Sequence, residues 1–183
     1  SPSSRRSWAI WASLPAMTGL RRQPLAVIVI AQLFGTSLWF SINGVWFSLA
    51  AGLGLSEGDL GRLTLSVQAG FILGTLILAT TGLADRFPAS RIFAAASLLG
   101  ALTNAGFILT AADPALASGV RFATGLCLAG IYPLGMKMVI AWTPSHAGAA
   151  LAWLVGMLTL GTATPHLLRG LTLALPWEWA LLG

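Results

Sequence analysis

Residues 63–91 read LTLSVQAGFILGTLILATTGLADRFPASR, and they are the most informative segment of the chain. An apolar run rich in small residues fills positions 63–80, and a second apolar run follows residue 91. One acid and two arginines lie between the two runs. Because a helix needs about 20 mostly apolar residues to cross a bilayer, the stretch predicts two spanning helices joined by a short charged hairpin at residues 82–91.

The composition of the whole chain also indicates a membrane environment. Of its 183 residues, 56% are hydrophobic and only 8% are charged, and the mean hydropathy is +0.83. Soluble domains carry about 25% charged residues, so this chain lacks the polar groups to cover a surface in water. The net charge is +5, but the arginines lie beside apolar runs. Membrane topology explains them better than nucleic-acid binding does.

Apolar runs of spanning length recur along the chain. Since backbone amides in lipid must be satisfied within their own segment, helices are the structure expected for such runs. The predicted fold class is therefore all-α, a polytopic membrane helix bundle. We expect residues 1–22 to form a cytoplasmic tail and residues 23–183 to form a half-bundle cut from a longer protein. The predicted helices cover residues 24–53, 60–81, 90–112, 116–142, 146–169 and, incomplete, 171–183.

Basic residues are unevenly shared between the predicted loops. The positive-inside rule assigns the more basic side to the cytoplasm. It predicts a cytoplasmic N-terminus, with the hairpin at 82–91 and the turn at 144–148 on the same side. We expect the membrane to be the inner membrane of a bacterium. The basic residues on that side are Arg5, Arg6, Arg21, Arg22, Arg86, Arg91 and Lys137.

Small residues indicate where the helices approach each other. Helix association in lipid depends on close backbone packing, which small residues permit. Gly70 and Gly74 lie four residues apart in the second predicted helix, and Gly156 belongs to a similar stripe in the fifth. Together with Gly125 of the fourth helix, they are the predicted packing positions.

Arg121 is the sharpest candidate for a functional residue. It lies about two turns into the fourth predicted helix, where an ionisable group is costly and is a functional-site candidate by default. The alternative is an arginine whose head group reaches the membrane interface. Lys137 lies closer to the end of the same helix, where reaching the interface is easy.

A stripe along the first predicted helix consists of polar and aromatic residues: Gln32, Thr36, Trp39, Asn43 and Trp46. Steps of three and four residues keep them on one side of the helix. Such a side suits either a water-filled path whose side chains bind a substrate or an interface between helices joined by amide hydrogen bonds. For the first use, Gln32, Trp39 and Asn43 join Arg121 as candidate substrate-binding or coupling residues. The amides of Gln68 and Asn104 are assigned to packing.

Several kinds of chemistry have no support in the sequence. His146 and His166 have no second ligand at metal spacing, and neither a catalytic set nor a phosphate loop is present, so we expect no enzyme, metal or cofactor. No acid lies in the middle of the five complete spans. Since the deep charge is positive, the hypothesis from the sequence is an anionic or carboxylate-bearing substrate.

The hairpin Gly82-Leu83-Ala84-Asp85-Arg86 resembles the loop between the second and third helices of the major facilitator superfamily. That signature reads Gly-x-Leu-Ala-Asp-Arg-x-Gly-Arg-Arg. Leu83–Arg86 match it, whereas Pro88 stands at the second glycine position. In addition, Arg121-x-x-x-Gly125 is similar to the arginine motif of the family's fourth helix.

The resemblance implies a role for the chain and for its motif residues. It implies the N-terminal six-helix half of a secondary active transporter of a small solute that works by alternating access, with the sixth helix truncated. The partners would be the lipid bilayer, the substrate and the C-terminal half missing from this chain. For Arg121 it implies substrate binding or coupling, and for Asp85, with Arg86 and Arg91 beside it, a gating loop. The alternative is a non-transporting membrane protein, a receptor or assembly factor, on the same scaffold.

Overall fold

The computed structural model describes residues 24–171, and within that range every regular element is helical. The helices are α1 (Pro24–Leu53), α2 (Glu57–Thr81), α3 (Leu83–Arg86), α4 (Ala89–Thr110), α5 (Pro114–Ala129), α6 (Tyr132–Trp142), a 3₁₀ turn (Pro144–His146) and α7 (Ala147–Leu171). The predicted tail at 1–22 and the incomplete helix at 171–183 lie, but for residue 171, outside the described residues.

The described helices form a membrane-type bundle. Five segments are long and apolar enough to cross a bilayer: Leu25–Leu53, Glu57–Thr81, Ala89–Thr110, Pro114–Trp142 and Pro144–Ala163. Many large apolar side chains lie on the outside, such as Phe47 at 87% and Leu109 at 89% exposure. Such a surface suits lipid rather than water. The prediction of an all-α, multi-pass membrane bundle is confirmed at this level.

The helix boundaries lie within three residues of those expected from the sequence, for local reasons. The backbone N–H of Ser56 donates to Asp59 Oδ2 at 2.8 Å, which starts α2 three residues before the apolar run predicts. Gly82 ends α2 with a φ of +64°, a left-handed conformation that suits glycine. Asp113 starts α5 by accepting from two backbone N–H groups of its first turn.

The fourth span is interrupted near its middle. It consists of α5 and α6, separated by Gly130 and Ile131. Pro133 explains the break, because its ring would clash with the carbonyl of residue 129 and it has no N–H to donate there. The fourth span therefore contains a short non-helical step at residues 130–131.

Glycines bring α2 and α5 into backbone contact. A Cβ built on Gly70 would collide with the carbonyl of Phe122, and one built on Gly125 would collide with the carbonyl of Val67. A Cβ on Gly74 would lie 2.7 Å from that of Ala129. All three predicted packing glycines of this helix pair therefore lie in the crossing.

Gly156 requires a correction. It is exposed, and a Cβ built on it would meet nothing within 4 Å in the described part of the chain. On α7 the close approach is made by Gly161 instead, where a Cβ would lie 3.4 Å from the Leu33 carbonyl of α1. The stripe containing Gly156 faces away from α1. The four-residue spacing therefore identified a helix face of small residues, but it did not identify which helix that face contacts.

Two apolar clusters lie towards opposite ends of the bundle and are used here to define those ends. One contains Leu49 and Ala111 beside the turns at 54–56 and 111–113, which we call the far end. Another contains Ile28 and Val139, towards the start of α1 and the end of α6. The hairpin at 82–88 lies at this second end, which we call the hairpin end.

Candidate functional site

Arg121 lies inside the bundle, where α1, α4 and α5 meet. Its side chain is 2% exposed. Nη2 donates to the carbonyl oxygen of Trp39 at 2.7 Å, and Nη1 donates to that of Leu38 at 3.2 Å. The planar guanidinium thus grips two consecutive carbonyls of α1, a geometry that its rigid fork of donors favours.

A small polar cluster surrounds the same guanidinium. Nη1 lies 3.4 Å from Ser41 Oγ and 3.5 Å from Asn104 Oδ1, and Ser41 Oγ donates to Asn104 Oδ1 at 2.7 Å. Thr124 and Thr103 continue the cluster with hydroxyl groups 3.0 Å apart. We call these five residues the Arg121 cluster; it joins α1, α4 and α5.

The charge of Arg121 has no acidic partner among the described residues. The ion pairs in residues 24–171 use Asp59 with Arg62 and Asp85 with Lys137. The Nε of Arg121 is buried and donates to nothing in the same range. Carbonyl and hydroxyl dipoles, rather than a carboxylate, therefore solvate this cation.

The residues of the polar stripe on α1 lie in different environments. Gln32 and Thr36 are fully buried, whereas Asn43 is exposed. The amide oxygen of Gln32 lies against Gly135 of α6, and neither amide atom has a hydrogen-bond partner among the described residues. Gln32 therefore faces packed helices in this structure and not an open path.

Trp39 lies at a gap between α1 and α2. The two helices make little direct backbone contact, since α1 packs chiefly on α7 and α2 on α5. Trp39 bridges the gap to Phe71, with ring centroids 4.6 Å apart. Gln68, one turn from Phe71, is exposed and has no side-chain partner among the described residues. The described residues provide no packing contact for its side chain.

The hairpin and the end of the fourth span are joined by an ion pair that the sequence did not reveal. Lys137 Nζ lies 2.7 Å from Asp85 Oδ1 and donates to the Ala84 carbonyl at 2.7 Å. The hydrogen bond and the charge of Lys137 lower the pKa of the Asp85 carboxyl. Arg86 and Arg91 of the predicted gating loop are exposed, with no side-chain partner within residues 24–171.

We expect Asp85→Asn to lose a small amount of thermal stability, and Lys137→Met somewhat more because Lys137 also donates to the Ala84 carbonyl. The double variant should lose no more than Lys137→Met alone, because the ion pair is already gone. The pKa of Asp85 is lowered by folding, so its stabilising effect is full above the ordinary aspartate pKa. That effect is lost as the pH falls through the lowered value. Thermal unfolding of the purified protein at neutral and acidic pH measures this.

Arg86→Met is the matched control for this pair, since Arg86 lies in the same hairpin without a partner among the described residues. It should leave the unfolding temperature unchanged. Losses that add up in the double variant, or an Asp85→Asn loss that persists at acidic pH, would show that the two side chains act separately.

No family model, curated protein or solved structure matches this chain. The described residues also contain no group of three His, Cys, Asp or Glu side chains that could hold a metal ion. The functional argument therefore depends on the geometry of the bundle.

Proposed function

We propose that the chain is half of a secondary active transporter that moves a small solute by alternating access. The main observation in support of this proposal is Arg121, a cation that is 2% exposed inside a bundle of membrane-length helices. Ionisable groups at such depth are costly and are found mainly where function requires them. A bundle that served only as an anchor would be more stable with an apolar residue there.

The packing of the described helices supports a half-bundle that moves as one body. Close backbone packing at Gly70 and Gly125 holds α2 against α5, and the hydrogen bonds of Arg121 hold α5 against α1. Alternating access by rocking needs two such bodies around one binding site. The proposal therefore includes a second half-bundle, a sixth helix at 171–183 and the major facilitator architecture that the hairpin and arginine motifs resemble.

The hairpin end offers a contact that a rocking motion could make and break. The Asp85–Lys137 pair is exposed, with side-chain exposures of 83% and 48%. Exposed pairs are weak, so they exchange partners at little cost. We propose that this pair sets the position of the hairpin in one state of the cycle. We propose that this end faces the cytoplasm, as the distribution of arginines favours, and that the cell is bacterial.

The test is solute accumulation by the complete protein that carries this chain, reconstituted in proteoliposomes with an imposed proton or sodium gradient. We expect at least one small solute from a mixed pool to accumulate, and accumulation to stop when the gradient is collapsed. Liposomes without protein give the background. Folded protein that accumulates nothing under either gradient would favour the receptor or assembly role.

A further inference from the structure

Two exposed amides lie at the same depth on neighbouring helices. Asn43 precedes the end of α1 at Leu53 by ten residues, and Gln68 follows the start of α2 at Glu57 by eleven. At a rise of about 1.5 Å per residue, they lie about 15 and 16.5 Å from the far end. Both side chains are exposed, and neither has a hydrogen-bond partner among the described residues.

Hydrocarbon cannot cover such groups. Lipid chains offer no donor or acceptor, so an unpaired amide in the middle of a membrane is strongly disfavoured. Asn43 and Gln68 therefore need water, a bound molecule or a protein segment outside the described residues in front of them. Their position beside the gap between α1 and α2 leaves room for water and a bound molecule.

An aromatic pair forms the inner boundary of this place. Trp39 and Phe71 each lie about 21 Å from the far end by the same rise, and their rings are in contact. Asn43 lies one turn beyond Trp39, and Gln68 lies one turn beyond Phe71, both towards the far end. The indole N–H of Trp39 has no acceptor within residues 24–171. The gap thus combines ring faces with amide donors and acceptors.

Neither Arg121 nor Arg62 presents its charge to this gap. The guanidinium of Arg121 is directed at the carbonyls of Leu38 and Trp39 and is 2% exposed. Arg62, six residues before Gln68 on α2, is paired with Asp59 at 2.6 Å. A charged ligand would therefore lose its hydration without gaining a counter-charge here.

We infer that Asn43 and Gln68, together with the Trp39–Phe71 pair, bind an uncharged solute that carries both hydrogen-bonding groups and a ring face. Each amide supplies two donors and an acceptor, which suits hydroxyl and amide groups on the solute. The aromatic pair suits a sugar ring or a heterocycle. This inference rests on the proposed transport function and replaces the anionic substrate expected from Arg121.

Thiol labelling tests whether the gap is wet. In a Cys127→Ala background of the complete protein, Asn43→Cys and Gln68→Cys are exposed in membranes to a membrane-impermeant methanethiosulfonate. We expect labelling at least about tenfold faster than at Leu99→Cys, because only a hydrated thiol ionises and reacts. Leu99 is the matched control, since it is 54% exposed and lies about 16.5 Å from the far end of α4. Labelling of all three at the same low rate overturns the inference.

Binding to the unmodified protein tests the solute class without depending on any variant. Glucose and uridine are the neutral probes, and glucuronate, glucosamine and uridine monophosphate are their charged analogues, each titrated by calorimetry into protein in nanodiscs. We expect a neutral probe to bind at least about tenfold more tightly than its charged analogues, and Asn43→Ala and Gln68→Ala each to weaken it about tenfold. Binding of neither neutral probe, or equal binding of an analogue, overturns the inference.

The two proposals fail in different ways. If a neutral probe binds through Asn43 and Gln68 but no solute accumulates in proteoliposomes, the proposed transport function is wrong and the proposed binding site is retained. If a solute accumulates and both alanine variants leave its KM unchanged, transport stands and the site is wrong.

Discussion

Arg121→Ala is expected to reduce solute uptake by the complete protein about 100-fold, a loss typical of a binding geometry displaced by about 1 Å. The substitution removes the bonds to the Leu38 and Trp39 carbonyls, which set α1 against α5. It also leaves Asn104 and Ser41 beside an unfilled space. Polar bonds between membrane helices average about 0.6 kcal/mol, and bonds to charged groups about 1.5–3 kcal/mol, so the expected loss of stability is about 1–3 kcal/mol.

Arg121→Lys separates geometry from charge. A lysine keeps the positive charge, but its single ammonium cannot reproduce the fork on two consecutive carbonyls. We expect uptake to fall about tenfold, between the wild type and the alanine variant. Leu99→Ala, which truncates an exposed side chain on α4, is the control. Normal uptake by Arg121→Ala in folded protein would reduce this residue to an anchor, and full activity of Arg121→Lys would show that charge alone matters.

Gly70→Ala and Gly125→Ala are expected to destabilise the bundle by about 3 kcal/mol each, the upper end of the usual range for overpacking. Their new methyl groups would meet the backbone carbonyls of Phe122 and Val67, which cannot rotate away as side chains do. The two helices would have to separate along their whole crossing. Denaturation in mixed micelles, followed by circular dichroism, measures the loss.

The same helices supply matched controls for these two substitutions. Gly61 on α2 and Gly119 on α5 have nothing within 4 Å of a built Cβ. Alanine there should stabilise the helix by up to about 1 kcal/mol, because it restricts the unfolded backbone. Opposite signs at the crossing and control positions are the expected result. Equal effects at all four glycines would mean that helix propensity, not the crossing, sets the stability.

Much of the fold follows from local signals in the sequence. Hydropathy places the five spans, and Asp59, Gly82 and Pro133 mark where helices begin, end or break for reasons that act within a few residues. Gly70, Gly74 and Gly125 are also predictable as packing positions, because glycines favour backbone contact, but the sequence does not show which helices they join. The stripe at Gly156 contacts no helix among the described residues, which shows that the same spacing does not identify a partner helix.

The polar contacts of the candidate site are only partly predictable. Asn104 and Arg121 lie six and seven residues from the ends of α4 and α5 at the turn 111–113, so equal depth could have paired them. The pairing of Lys137 with Asp85 depends on side-chain reach between segments 52 residues apart. The separation of buried Gln32 from exposed Asn43 depends on how α1 turns among its neighbours, which periodicity alone does not give.

The unpaired cation at Arg121 also makes the bundle sensitive to voltage. Moving one elementary charge through the full membrane potential changes its energy by about 2.3 kcal/mol per 100 mV. Since the guanidinium is tied to both α1 and α5, a shift of these helices along the membrane normal carries that charge with them. A displacement of a tenth of the membrane thickness then contributes about 0.2 kcal/mol per 100 mV to the balance between conformations.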